Sequence, residues 1–256
     1  MGWKLLKRRI IPIQLLLNGR LVKSKRFDNF RDVGDPVKSS AIYNSQYADE
    51  LIFLNIARDR ASVQPLADLM QKVSRECFMP LAVGGGICSF DDAAYLIQNG
   101  ADKVVINSVA YTDRELISRI ADRFGTQAVV VAIDAKQEKC SYVLTSASAS
   151  QQEAVPLEEH IHFCEAAGAG EFLIQSVDHD GMMEGFDLAL LRLACSTANV
   201  PVIGCGGSGQ YNHLKEAFLE TDISALACGS LFNFSDSNPL RAKAYLSNYG
   251  LQFKVV

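Results

Sequence analysis

The chain has 256 residues, with 25 Lys and Arg against 29 Asp and Glu, a formal net charge of -4 and 48% hydrophobic residues. That balance describes a globular protein and excludes bulk attraction to nucleic acid or to an anionic membrane. Seven cysteines, an odd number without Cys-x-x-Cys spacing, argue against disulfides and a zinc site and for a reducing cytoplasm.

MGWKLLKRR followed by IIPIQLLL has the outline of a weak signal peptide. The apolar run is short, holds Pro12 and lacks a small-residue cleavage site, so it reads as a buried first strand. No stretch approaches the length of a membrane span. NGRLVKSKRFDNFRDVGDP is polar, Gly-bearing and long, which predicts a functional loop. Asp35 and Pro36 then open a first helix as cap and first helical residue. ELIFLNI is the second strand, and ARDRAS leads into a helix through about Val73. MPLAVGGGI is the third strand, followed by a helix capped by Ser89 and closed at Gly100. DKVVINS is the fourth strand, with a helix from about Asp113 to Phe124.

GTQAVVVAIDAK opens the second half with an apolar run that reads as a strand buried on both faces and ends at Asp134 and Lys136. KCSYVLTSAS suggests a small hairpin decorating a loop. A helix over roughly Pro156 to Ala167 contains His160 and His162. Two apart, these histidines do not share a helix face, so no metal or other cofactor is expected. GEFLIQSV, VPVIGCGG and ISALACGS are strands six to eight, with helices near Leu188 to Thr197, Asn212 to Glu220 and Pro239 to Asn248.

Eight strand-then-helix units predict a closed (β/α)8 barrel in one domain. Four segment pairs recur at one offset: RRIIPIQLLLNG with GTQAVVVAIDAK, DELIFLNIARDR with GEFLIQSVDHDG, MPLAVGGGICSFDDA with VPVIGCGGSGQYNHL, and DKVVINSVAY with ISALACGSLF. The barrel is therefore expected to consist of two half-barrels, about 1-124 and 125-256.

Active-site groups of such a barrel sit after the strands at one face. Strand three ends in three glycines and strand seven in Gly206 and Gly207, with Asn107-Ser108 and Gly229-Ser230 on the neighbouring loops. Glycines there let backbone N–H groups approach an anion, although they also serve simply as tight turns. Two copies favour two phosphate sites across the mouth and a substrate with a phosphate at each end.

Through RRIIP, GRLVK, VGDP, VGGGI, ADKVVIN, VVVAIDAK, GAGE, DHDG and GCGGSG, the chain resembles the cyclase subunit of imidazole glycerol phosphate synthase over essentially its whole length. The resemblance implies a barrel that receives ammonia through its interior from a separate glutaminase (HisH-like) subunit docked at the N-terminal face. It implies a bis-phosphate ligand held by Gly86, Asn107 and Ser108 at one end and by Asp180, Gly181, Gly207, Gly229 and Ser230 at the other. It further implies an ammonia gate of Arg9, Glu50, Lys103 and Glu171, in which two cations and two anions neutralise one another.

The family uses two aspartates as general acid and base. Asp134 matches one, but Leu15 stands where the other belongs, Asn55 replaces a usual Asp and Gln175 a usual Thr. Leucine moves no proton, and losing one member of such a pair costs on the order of 10²–10⁴ in rate. This combination resembles a branch found in bacterial surface-polysaccharide pathways, where barrel and glutaminase feed ammonia to a separate sugar amidotransferase. The expectation is an ammonia-conducting subunit for sugar amidation. The alternatives are a cyclase-lyase of histidine biosynthesis and a non-catalytic docking scaffold.

Overall fold

A computed structural model describes residues 7–57, 62–139 and 141–254. The apolar runs form β1 (Arg9–Leu17), β4 (Leu51–Asn55), β5 (Leu81–Gly84), β6 (Lys103–Ile106), β7 (Val129–Glu138), β10 (Glu171–Ser176), β11 (Val202–Cys205) and β12 (Ala225–Cys228). Each pairs in parallel with the next in that order, and β12 pairs back to β1 with Arg9 opposite Ala225, which closes an eight-stranded barrel. Such closure leaves none of the eight barrel strands as an edge strand.

Alternate residues of the strands serve two cores. Ile11, Ile13, Ile52, Val105, Val130, Leu173 and Ile203 fill the barrel interior. Ile10, Phe53, Val104, Val131 and Phe172 face outward into a layer shared with the helices. Those helices are α1 (Pro36–Ser45), α2 (Gln64–Val73), α3 (Phe90–Gln98), α5 (Glu115–Phe124), α6 (Leu157–Ala166), α7 (Leu188–Thr197), α8 (Tyr211–Glu220) and α10 (Pro239–Ser247). Asp35 accepts from the Lys38 amide to cap α1, and Ser89 with Asp92 makes a reciprocal capping box on α3. Single-turn helices α4 (Ser108–Thr112) and α9 (Ser230–Phe234), absent from the sequence reading, follow β6 and β12. No helix among the described residues is long and apolar enough to cross a membrane.

The expected loop after β1 is instead a hairpin of β2 (Arg20–Lys25) and β3 (Asp28–Gly34), with β2 antiparallel to the upper half of β1. Asn18 and Gly19, at φ of 51° and 73°, make the two-residue turn between β1 and β2, the Asn-Gly chemistry that such a turn requires. Buried Leu21 and Val22 hold β2 down although the segment looks polar as a whole.

β7 is extended in the same way. β8 (Ser141–Ser146) pairs with the end of β7 itself, and β9 (Gln151–Glu153) pairs with β8, so the second hairpin continues the strand rather than decorating a loop. Residues 58–61 of ARDRAS and the first six residues of the signal-like segment lie outside the described residues.

Candidate functional site

At the N-terminal face four strand starts bring alternating charges to one point. Arg9 Nη1 donates to Glu50 Oε2 at 2.8 Å, and its Nη2 pairs with Glu171 Oε1. Lys103 Nζ reaches Glu50 Oε2 and Glu171 Oε2, each at 2.9 Å. The result is a closed ring of two cations and two buried carboxylates, Glu50 and Glu171 being 2% and 5% exposed. Burial alone would push Glu171 up, but Arg9 and Lys103 outweigh it and hold this carboxyl below its ordinary range. The opposing charges raise Arg9 despite its burial. Removing either cation would leave two buried carboxylates to share the one that remains.

The opposite mouth has two unequal compartments. The larger, about 620 Å³, is lined by Asp134, Gly86, Asn107, Ser108 and Asn55 together with the tips of both hairpins. Asp134 sits inside the barrel end, 8% exposed, and accepts from Asn107 Nδ2 at 2.9 Å. Burial raises its pKa to about 7, opposed by the Asn107 hydrogen bond and assisted by the charge of Asp180. That value suits proton transfer near neutral pH. Asn107 Oδ1 is buried and has no partner among the described residues. Ser108 Oγ accepts from the Ala147 amide at 3.1 Å, which ties the second hairpin to the β6 end. Lys136, expected beside Asp134, is exposed and lines neither compartment.

The smaller compartment, about 30 Å³, is bounded by Asp180, Gly181, Gly207, Gly229 and Ser230. Asp180 faces the first hairpin. It accepts from Ser24 Oγ at 2.7 Å and the Phe27 amide at 3.3 Å, while its carbonyl accepts from the Arg26 amide at 2.9 Å. Gly181 has φ of 68°, and a Cβ there would lie 2.0 Å from the Ser24 carbonyl oxygen, so only glycine permits this approach.

Leu15 and Gln175 line both compartments and form the wall between them. Gln175 stands opposite Asp134 in the β10–β7 register. Leu15, from β1, and Asp134 line the larger compartment together, so β1 contributes a hydrocarbon side chain there.

Sequence reasoning missed Lys23. It lies on β2 and lines the smaller compartment, with Nζ donating to the Ile13 carbonyl at 2.6 Å. Burial lowers its pKa to about 8, offset in part by Asp180. GRLVK carried the signal, but a lysine in a presumed loop does not announce that it is buried. His160 is a core histidine stacked on Tyr111, their ring centroids 4.2 Å apart.

Residues 9–237 match the family described as Histidine biosynthesis protein. The chain is 39% identical over 251 residues, 98% of its own length and 100% of the relative's, to imidazole glycerol phosphate synthase subunit HisF of Chlorobaculum tepidum. It is 40% identical over 247 residues to the subunit of the same name from Prosthecochloris aestuarii, covering 96% and 98% of the two chains. With the Staphylococcus carnosus subunit the identity is 36% over 252 residues, covering 98% and 99%.

Proposed function

This chain belongs to the HisF family of imidazole glycerol phosphate synthase subunits, and from that premise we propose that it is the ammonia-conducting barrel of a glutamine amidotransferase complex. The observation that supports this reading is the closed ring of Arg9, Glu50, Lys103 and Glu171 at the face opposite Asp134. A HisH-like glutaminase seated on that face would release ammonia at the ring. The apolar interior beyond it, with Ile11, Ile52, Val105 and Leu173, favours neutral ammonia over ammonium, because an ion loses its hydration there. In the mouth, the buried Asp134, with its pKa raised to about 7, is the group best placed to take or give a proton, and Gly86, Asn107 and Ser108 line the larger compartment as its anion-binding end.

With Leu15 in place of a second carboxylate, the delivered nitrogen goes to amidation rather than to imidazole closure. The finer assignment is a surface-polysaccharide sugar, amidated by a separate amidotransferase. A second reading, the imidazole-forming cyclase of histidine biosynthesis, is favoured by the names of the full-length relatives and by the neutral pKa of Asp134.

One preparation tests both. The barrel should form a stoichiometric complex with a HisH-type glutaminase and accelerate its glutamine hydrolysis. Given the bis-phosphate imidazole precursor and ammonium, it should cyclise at least about 10²-fold more slowly than a two-aspartate relative. Absence of a complex defeats the conduit. Cyclisation within about tenfold of that relative makes the second reading the correct one.

A further inference from the structure

Two members of the charged ring, Glu50 and Lys103, each follow an aspartate in the chain, and the two aspartates bond alike. Asp49 Oδ2 accepts from the Ile10 amide at 2.9 Å, while its own amide donates to the Ile10 carbonyl at 3.3 Å. Asp102 Oδ2 accepts from the Leu81 amide at 2.8 Å, and its amide donates to the Leu81 carbonyl at 2.9 Å. Each pair of bonds fixes the start of one barrel strand against its neighbour, one residue before a ring side chain.

Behind the ring the two differ. Asp102 is exposed, but the side chain of Asp49 is only 4% exposed and carries an ammonium on its other oxygen. Lys243 of α10 donates from Nζ to Asp49 Oδ1 at 2.9 Å and to the Tyr47 carbonyl at 2.6 Å. One buried cation thus ties down both ends of the turn 47–49 that leads into Glu50. Tyr47 holds φ of 56° with its side chain half exposed. A left-handed aromatic residue persists only where its surroundings hold it.

Packing alone does not call for such a contact, since replacing a buried ion pair by hydrocarbon of similar volume is often neutral or stabilising. What the pair adds is a fixed distance between two atoms. That distance sets where the Glu50 backbone stands, and Glu50 needs to be well placed. It accepts from Arg9 Nη1 at 2.8 Å and from Lys103 Nζ at 3.0 and 2.9 Å.

We propose that Lys243 is a positioning residue for the ring. Through Asp49 and the Tyr47 carbonyl it holds Glu50 between Arg9 and Lys103, although α10 supplies no member of the ring. The last helix of the chain thereby sets the geometry of the entrance on the barrel axis. This deepens the conduit reading and rests on it only for what the ring does.

Urea unfolding of the full chain tests the proposal, in a double-mutant cycle of Lys243→Met with Glu171→Gln. Glu171 bonds to Arg9 and Lys103 from β10, on the other side of the ring from Glu50. Without Lys243, Glu50 drifts from the two cations and they depend on Glu171. The double variant should therefore unfold more readily than the product of the two single effects, by about fivefold or more in the equilibrium constant. A lysine that merely packs its helix in place would leave the effects multiplicative within about twofold. That is the result expected for the control cycle of Leu246→Ala, a buried residue of the same helix, with Glu171→Gln. A crystal structure of Lys243→Met should show Glu50 beyond hydrogen-bond reach of at least one cation.

Multiplicative effects would overturn the proposal. So would an intact ring in that crystal structure, or an equal deviation in the Leu246→Ala cycle. Where Lys243→Met does not fold, its combination with Asp49→Asn leaves no lone buried charge and takes its place in the cycle with the same expectation. Failed nitrogen delivery in the glutaminase complex would leave the cycle standing, and a multiplicative cycle would leave conduction standing.

Discussion

A carboxyl withdrawn from water in the middle of β7 holds its proton far above the ordinary 3.8, and for Asp134 the balance falls at about 7. The folded protein therefore keeps a proton that the unfolded chain releases between about pH 4 and pH 7, and stability from this residue declines as pH rises through that window. Above it, an ionised Asp134 sits buried with one amide donor, at a cost of up to roughly 4 kcal/mol. Asp134→Asn cannot ionise and still accepts from Asn107. It should gain on the wild type in urea denaturation as pH is raised from about 5 to about 8. An identical difference at both pH values would mean that burial does not control this group. Catalytic turnover, if the mouth has any, should vanish in the same variant. Asp134 was legible in the sequence because an acid after six apolar residues is conspicuous. Lys23 was not, because its burial comes from residues distant in sequence, Gly229 and Cys205 among them, that meet it at the barrel mouth.

The two hairpins are the elements that shape the mouth, and the first is held by one loop. Gly181→Ala would place a methyl group 2.0 Å from the Ser24 carbonyl and force φ of 68° on an alanine, so the hairpin must lift from Asp180. The barrel beneath makes none of these contacts, so global stability should fall by only about 1–3 kcal/mol. Trypsin cleavage after Lys25 or Arg26 should accelerate by about tenfold or more, since local opening exposes the turn. Unchanged proteolysis would show that the latch is not what holds the hairpin. The eight longer helices were readable to within a residue or two wherever a bound could be set, Leu188–Thr197 among them, because caps and amphipathic spacing are local, whereas the single turns α4 and α9 were not. The hairpins were harder to read. Asn18-Gly19 marked the first turn, but Arg26-Phe27, with φ of 52° and 62°, turns left-handed with neither glycine nor asparagine.

At the scale of the molecule, eight repetitions of an apolar run and an amphipathic helix made the barrel legible, since parallel strands buried on both faces leave few other arrangements. The unequal mouth was not legible, because the width of a compartment depends on which side chains turn into it. The ring at the far end joins β1, β4, β6 and β10, so its loss is felt across the whole structure. Lys103→Met leaves Glu50 and Glu171 to share Arg9 and should cost on the order of 3 kcal/mol. In the glutaminase complex it should also uncouple the two ends. Glutamine hydrolysis continues, nitrogen delivery to the acceptor falls, and added ammonium restores it through the open mouth. Coupling that survives the substitution would favour a docking scaffold over a conduit.

The pairing of Arg9 with Ala225 has a consequence for how this protein is made. At translation speeds of about 5–20 residues per second, β1 waits roughly 10–45 s on the ribosome before β12 exists to cover it. During that interval its outer edge offers unpaired amides and carbonyls beside Ile10, Ile11 and Ile13, an invitation to any other strand in the cell. Contacts this distant in sequence also close late once the chain is free. Chaperone demand during synthesis should therefore fall on the first strand, which becomes one of the best-buried segments of the finished molecule.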